Sequence, residues 1–395
     1  MSYQCLNEER RIYLKEDSAK GITNLAKIVF DFDGVLVHVL QSYYENIRKV
    51  VDYYFLEILG LEGGKEKLVT FGDIQGFKDT GLYNNDWTLT HAIITYYLAM
   101  LIRKLQQRRV LDGFLKQFSD VQFSEVSSFI QKLSGVGDYC RRHGVEVAEL
   151  VSMKKDSALG IEYLLAQVKR ENQSFEVVLT SVLPRAESSQ LTLVKKLIPY
   201  SVEKPDLLRR LFEESYLGVE LFKRFYDVSP VFNFNECFLD KEEFIPTRET
   251  LHTLHSRFGK LAVYSEKSRT QAMYLVEKNG FRKYFDENGL IFYEELVKSE
   301  SEQLGKPNPT VLIEMVEKLV GNVSKVAYVG DTVADALLVK GARLQGLSNL
   351  LFLGVLCSSQ YPDELLSQFM RYDADAVMTD VNDIPYLYAS LGGEI

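Results

Sequence analysis

From about residue 246 onward, short and uniformly apolar runs alternate with amphipathic stretches of helical period, and nothing else in the chain constrains the fold as strongly. Leu261-Ala262-Val263-Tyr264, Val326-Ala327-Tyr328-Val329 and Leu351-Phe352-Leu353-Gly354-Val355-Leu356 show no polar alternation, so both faces of each strand must be buried. Helices are expected between them, over about 268–279, from Pro309 to about Val320 with proline in the first turn, and from about Asp335. Shorter strands are expected at 291–293 and 376–378. Strands buried on both faces and separated by helices predict an α/β fold with a doubly wound parallel (Rossmann-like) sheet.

One further strand lies far upstream. Lys27-Ile28-Val29-Phe30 is apolar after its first residue and runs into Asp31-Phe32-Asp33-Gly34-Val35. If it joins the same sheet, the chain between is an insertion after the first strand. The expected organisation is an N-terminal extension over 1–25, a discontinuous catalytic α/β core over 26–39 and 246–395, and a large, mainly helical domain over 40–245. Within that insertion, Tyr43, Tyr44, Ile47, Val50, Val51 and Tyr54 recur at helical spacing. A second helix is expected from Trp87 to about Leu105, capped by one of Asn84-Asn85-Asp86. The stretch 175–183 reads equally as a short strand or a helical turn.

Two carboxylates one residue apart at a strand end are costly to bury unless paired or bound to a metal. They belong at the exposed carboxyl end of the strand, where open α/β sheets bind ligands. On a strand, residues two apart point the same way, so both serve one centre. The plainer reading is a strand followed by an Asp-Gly turn. Other strand ends carry further polar residues: Ser265 after the second strand, Asp331 and Asp335 in Gly330-Asp331-Thr332-Val333-Ala334-Asp335 after a later one. Lys306 stands in Gly305-Lys306-Pro307-Asn308-Pro309, the loop entering a helix. Singly, Ser265 reads as a cap, Lys306 as a solvated lysine and Gly330-Asp331-Thr332 as a turn with Asp335 capping. Their gathering at one end of one sheet is not explained that way.

The chain has 395 residues, 46 Lys and Arg against 55 Asp and Glu, and a net charge of -9, which gives it no general attraction to nucleic acid or anionic lipid. Cys5, Cys140, Cys237 and Cys357 are far apart and match no zinc spacing, as expected of unpaired thiols in a reducing cytoplasm. The first 20 residues lack the apolar core of a signal peptide. No apolar run of about 18 residues is present to span a membrane. A cytoplasmic protein is expected, of open oligomeric state, with neither nucleic acid nor membrane as partner.

Phosphoryl transfer uses these residue types. A phosphate ester dianion repels nucleophiles, so its charge must be neutralised before attack. A carboxylate can attack phosphorus and form an aspartyl-phosphate. A second carboxyl protonates the leaving oxygen and then deprotonates water. Mg²⁺ favours a few carboxylates with substrate phosphate and water. A hydroxyl and an ammonium hold the remaining phosphoryl oxygens.

The set Asp31-Phe32-Asp33-Gly34-Val35, strand-end Ser265, Gly305-Lys306-Pro307-Asn308-Pro309 and Gly330 to Asp335 resembles the haloacid dehalogenase superfamily over about 26–37 and 246–390. The resemblance implies Asp31 as nucleophile and Mg²⁺ ligand, and Asp33 as general acid/base with its carbonyl on the metal. It implies Ser265 on a phosphoryl oxygen, Lys306 screening nucleophile and phosphoryl group, Asp331 completing the metal site and Asp335 supporting it from just outside. It also implies a cap domain after the first motif, a type-1 cap, because the interval from Ser265 to Lys306 is too short for one. An acid at position 33 favours phosphate monoesters, since members cleaving carbon–halogen bonds or phosphonates lack it. The P-type ATPase pattern is absent.

Within the insertion, Gly76 to Trp87, Ser42-Tyr43 and Tyr216-Leu217-Gly218 resemble a phosphoglycolate-phosphatase-like branch. This implies a substrate-specificity loop with Lys78, Asn84, Asn85 and Trp87 shaping the pocket; the alternative is that Asn85 or Asp86 caps a helix and Trp87 is core. His38 stands where such members commonly carry Asp, and a packing role is expected of it. The expected function is hydrolysis of a small phosphorylated metabolite with Mg²⁺ as cofactor. The alternatives are a phosphomutase, or an inactive binding module on the same scaffold.

Overall fold

The computed structural model describes residues 2–63, 67–171, 173–174, 177, 179, 188–199, 206–299, 302–320 and 324–393. Contacts divide the chain into two compact units, Met1–Ser42 with Leu239–Ile395, and Tyr43–Phe238. The first unit carries β1 (Tyr3–Asn7), β2 (Ile12–Lys15), β3 (Leu25–Phe30), β4 (Leu261–Tyr264), β5 (Phe285–Ile291), β6 (Val297–Ser299), β7 (Glu302–Gln303), β8 (Lys325–Gly330), β9 (Leu350–Val355) and β10 (Ala376–Met378). Eight of these form one sheet in the order β1-β2-β10-β9-β8-β3-β4-β5, while β6 and β7 pair separately and antiparallel.

The six strands from β10 to β5 are mutually parallel. After β3 the chain builds outward on one side through β4 and β5, then crosses back to lay β8, β9 and β10 on the other. Connections therefore diverge between β3 and β8, and a doubly wound sheet opens a crevice at the carboxyl ends of such a pair. The register Phe30↔Val329 brings the residues after both strands to the same level. Asp31 donates its backbone N–H to the Val329 carbonyl at 2.9 Å, which extends the pairing to the first carboxylate. Beneath this end, Val29, Tyr264, Leu312, Val316, Tyr328, Leu338, Phe352 and Phe369 are buried together between sheet and helices.

The doubly wound parallel sheet is as expected, with two antiparallel strands added at one edge, and two other expectations need correction. The sheet is mixed, because β2 runs antiparallel to β10, pairing Leu14 with Ala376, and β1 antiparallel to β2. Residues 1–25 are therefore part of the sheet unit and not an extension ahead of it. Ile12 and Leu14 turn inward and are buried, so the strand alternates as a half-covered strand should. The strand expected at 291–293 is the end of β5, and Tyr293 already begins a helical turn, Tyr293–Leu296. β5 is an edge strand with one neighbour, so Asp286 and Glu287 are tolerated in it and hide it from an apolar-run reading.

The unit Tyr43–Phe238 is helical throughout its described elements. Tyr43–Tyr53 continues into a wider turn at Tyr54–Ile58, and Asp86–Gln107 is the longest helix described. Aromatic rings dominate its core, with Tyr43 stacked on Tyr216 at 4.6 Å and Phe55 edge-on to Tyr97 at 5.7 Å. Helix Leu207–Tyr226 breaks at Gly218, whose φ is 66°. A Cβ there would lie 3.0 Å from the Glu236 carbonyl oxygen, so the glycine permits both the kink and the close approach. Of the ambiguous stretch 175–183, only 177 and 179 are among the described residues. Among the described residues no helix is long and apolar enough to cross a membrane.

Candidate active site

β3 ends one residue before Asp31, and Asp31 is 4 % exposed. The Lys306 ammonium lies 2.5 Å from its Oδ2 and 2.8 Å from Oδ1 of Asp335. All three side chains are almost wholly withdrawn from water. A buried ammonium is tolerable only with such partners, and here two carboxylates supply them. Burial pushes the Asp31 carboxyl up to about 7, against the pull of Lys306. For Lys306, burial acts to lower the ammonium, and Asp31 and Asp335 more than offset it, so the net direction is upward. The Lys306–Pro307 peptide is cis.

Asp335 is fixed by more than the lysine. Its Oδ2 accepts from the Thr332 backbone N–H at 2.9 Å and hydroxyl at 2.7 Å, and its Oδ1 accepts from the Tyr328 hydroxyl at 3.0 Å. Thr332 is the N-cap of helix Val333–Leu344 and Asp335 its third residue, a reciprocal capping box. The cap is thus Thr332, and Asp335 answers it while gripping Lys306. Asp335 belongs both to the helix start and to the charge cluster.

Asp331 follows β8, and one carboxylate oxygen each of Asp31, Asp331 and Asp335 lie within 4.8 Å of one another. Gly34 makes room for this convergence. A Cβ at Gly34 would sit 1.8 Å from Asp331 Oδ2, and its φ of 74° is one that side chains rarely adopt. Ser358, after β9, holds the Gly34 carbonyl from the other side at 2.9 Å. The donor set is all oxygen, with no histidine or thiolate in the cluster, and so suits a hard divalent cation. Of the three, Asp31 and Asp331 could hold one, while Asp335 is engaged beside them by Lys306, Tyr328 and Thr332.

Asp33, two residues beyond Asp31, keeps a quarter of its side chain exposed. The Lys267 ammonium meets its Oδ1 at 2.9 Å. The same ammonium lies 3.0 Å from Glu242 Oε2 and 3.2 Å from Oε1, and Ser42 donates its hydroxyl to Oε1 at 2.8 Å. Burial acts to lower the Lys267 ammonium, but Asp33 and Glu242 outweigh it and raise it. Ser265, at the end of β4, is 1 % exposed and accepts the Lys267 backbone N–H at 3.3 Å. The sheet therefore gathers Asp31, Asp33, Ser265, Lys306, Asp331 and Asp335 at one end.

Sequence reasoning missed Lys267 and Glu242. Lys267 sits in a polar loop and Glu242 in Asp240-Lys241-Glu242-Glu243, both of which read as solvated surface. No pattern within the loop marks either as buried; only the spacing of Lys267 two residues after Ser265 hints at it. His38 was expected to pack and is instead exposed, with its backbone N–H on the Glu243 carbonyl at 2.9 Å.

The four residues expected to shape a pocket belong to the helical unit. Asn85 is the N-cap of Asp86–Gln107, accepting the Thr88 N–H at 3.1 Å. Lys78 pairs with Asp86 at 3.0 Å. The Trp87 indole N–H donates to Glu213 at 3.1 Å, and Arg209 lies 4.6 Å over its ring. Asn84 lies in the irregular segment that precedes this helix. For Asn85 and Trp87 these contacts are those of a cap and a core residue.

A family model for haloacid dehalogenase-like hydrolases matches residues 27–343. No curated protein matches. Among solved structures, a Northeast Structural Genomics Consortium target is similar at 17 % identity and TM-score 0.58, covering 93 % of this chain and 99 % of its own. Phosphatase Tt82 from Thermococcus thioreducens is similar at 20 % identity and TM-score 0.44, with 87 % and 98 % covered. A predicted phosphoglycolate phosphatase from Haemophilus somnus 129pt is similar at 12 % identity and TM-score 0.38, with 92 % and 98 % covered. The first of these supports the fold, and the other two carry no argument here.

Proposed function

The chain belongs to the haloacid dehalogenase-like hydrolase family, and from that premise we propose that it is a Mg²⁺-dependent phosphatase of a small phosphorylated metabolite, acting through an aspartyl-phosphate on Asp31. One observation carries this reading: a buried lysine, Lys306, is clamped between the carboxylates of Asp31 and Asp335 while Asp331 converges on the same point. An inactive scaffold has no need to keep an ammonium dry among three acids, because such clusters are commonly replaced by apolar packing at no loss of stability.

In the proposed reaction an Asp31 oxygen attacks phosphorus and the bond from phosphorus to the ester oxygen breaks. The departing oxygen takes a proton from Asp33, the one carboxyl of the pair with an exposed side. Asp33 then accepts a proton from water, which attacks the phosphorus of phospho-Asp31; phosphate leaves and the Asp31 carboxylate is restored. Ser265 and Lys306 bind phosphoryl oxygens, each donating toward charge that grows during transfer. A divalent cation held by Asp31, Asp331 and the Asp33 carbonyl would neutralise phosphate charge.

The test is phosphate release from a panel of phosphorylated metabolites, with Mg²⁺ and with EDTA, by wild type and by Asp31→Asn. Release that requires the metal and vanishes in a variant of unchanged melting temperature is expected. Comparable release by Asp31→Asn would overturn the assignment. Interconversion of phosphate esters without net release would turn the reading to a mutase.

A further inference from the structure

We propose that Lys267, braced by Glu242 and Ser42, is a positioning residue that holds the Asp33 carboxyl in the orientation from which it exchanges protons with the reacting ester and water. This rests on the phosphatase reading and assigns a part in it to groups that the mechanism above does not use.

The geometry separates Lys267 from the substrate-binding groups. Lys306 is equally buried but its ammonium lies on Asp31, whereas the Lys267 ammonium is taken up by Asp33 and Glu242, so Lys267 acts through a neighbour. That neighbour is Asp33, whose Oδ1 it holds at 2.9 Å while a quarter of the Asp33 side chain stays open. One carboxylate oxygen is thus fixed by the lysine while part of the side chain stays open. An aspartate at a strand end has free rotation about two side-chain bonds, and proton transfer in the transition state needs an oxygen within hydrogen-bond reach of the departing atom. Removing that freedom beforehand is what a supporting residue contributes.

The ammonium is itself held. Both oxygens of Glu242 lie within 3.2 Å of Lys267 Nζ, and the Ser42 hydroxyl on Oε1 orients the glutamate in turn. Were Asp33 the lysine's sole anchor, the pair would shift together and neither would be located. With Glu242 anchored independently, the lysine has a fixed place and the aspartate inherits it. Ser42 and Glu242 flank the two crossings where the chain leaves for the helical unit and returns, at 42/43 and 238/239. A purely structural staple between those crossings is therefore the competing role, and the experiment must separate the two.

Phenyl phosphate and 4-nitrophenyl phosphate are matched in shape and differ in the basicity of the leaving oxygen. Phenolate, whose conjugate acid has a pKa of about 10, needs a proton to depart, and 4-nitrophenolate does not. The quantity to read is kcat/KM with Mg²⁺ on the full chain, because it reports the step that forms phospho-Asp31. Lys267→Met should lower kcat/KM for phenyl phosphate by roughly 10–100-fold, part of what a positioned acid supplies, and for 4-nitrophenyl phosphate by less than about threefold. Asp33→Asn should give the same inequality, larger.

Lys267→Met leaves Glu242 buried without its cation. Should that variant melt early, Lys267→Met combined with Glu242→Gln removes both charges and should show the same unequal loss. Equal losses on the two esters in a folded variant would overturn the inference and make the cluster a staple. A wild type that releases phosphate from neither ester nor from any panel member would instead sink the phosphatase reading, and this inference with it.

Discussion

At the scale of single residues, the site is an arrangement of charges that tolerate burial only because each is answered. Lys306 lies between Asp31 and Asp335, and Lys267 between Asp33 and Glu242, so two buried cations are each met by two carboxylates. Gly34 is the residue on which the geometry depends without contributing a functional group. Gly34→Ala should combine a strained backbone, costing about 1–2 kcal/mol, with displacement of the Asp331 carboxylate. The expected result is a modest fall in urea stability together with a much weaker response of activity to added Mg²⁺. Unchanged metal dependence would show that Asp331 does not help to hold the cation. The residues legible in the sequence were those that stand in motifs recognisable as a set, Asp31, Asp33, Ser265, Lys306 and Asp331, although each alone has an ordinary reading. Lys267 and Glu242 were not, because lysine and glutamate in a polar loop are ordinary at a surface. Only folding shows that these two are buried.

At the scale of elements, strands buried on both faces were the easiest to read. β4 and β9 are apolar along their whole length, β8 is so after its first residue Lys325, and all three appear where the apolar runs lie. β5 and β2 were harder for a shared reason: each has a face or an end in water, and a four-residue alternation is too short to stand out. Helix starts followed capping chemistry. Asn85 caps Asp86–Gln107, which accounts for a residue that family resemblance would otherwise give to substrate. Asn85→Ala should cost about 1 kcal/mol in urea unfolding, Asn85→Asp should restore most of it, and KM should stay unchanged in both. A rise in KM with no loss of stability would return Asn85 to the pocket. The capping box at Thr332 serves two ends at once, since the Asp335 that closes it also holds Lys306.

At the scale of the whole molecule, the first fifteen residues are the clearest case of structure that composition conceals. They carry β1 and β2, which cover the outer edge of β10. An uncovered edge strand is a template for pairing with other chains. Deleting residues 2–15 should remove the burial of Ile12 and Leu14, about 1.5–3 kcal/mol each, and expose β10. Lower melting temperature and concentration-dependent aggregation by light scattering are expected, while a monomer of unchanged stability would show the edge to be adequately protected without them. What the sequence determined by itself was the set of doubly buried strands, the order of motifs at their ends and hence the family, because these depend on local residue type and spacing. The tertiary structure alone decided which lysines are buried, that the amino-terminal stretch closes one edge of the sheet, and that Asp33 meets Lys267. Each of these depends on residues far apart in the chain, such as Ser42 and Glu242 or Leu14 and Ala376, and no local pattern records which distant partner a residue will meet.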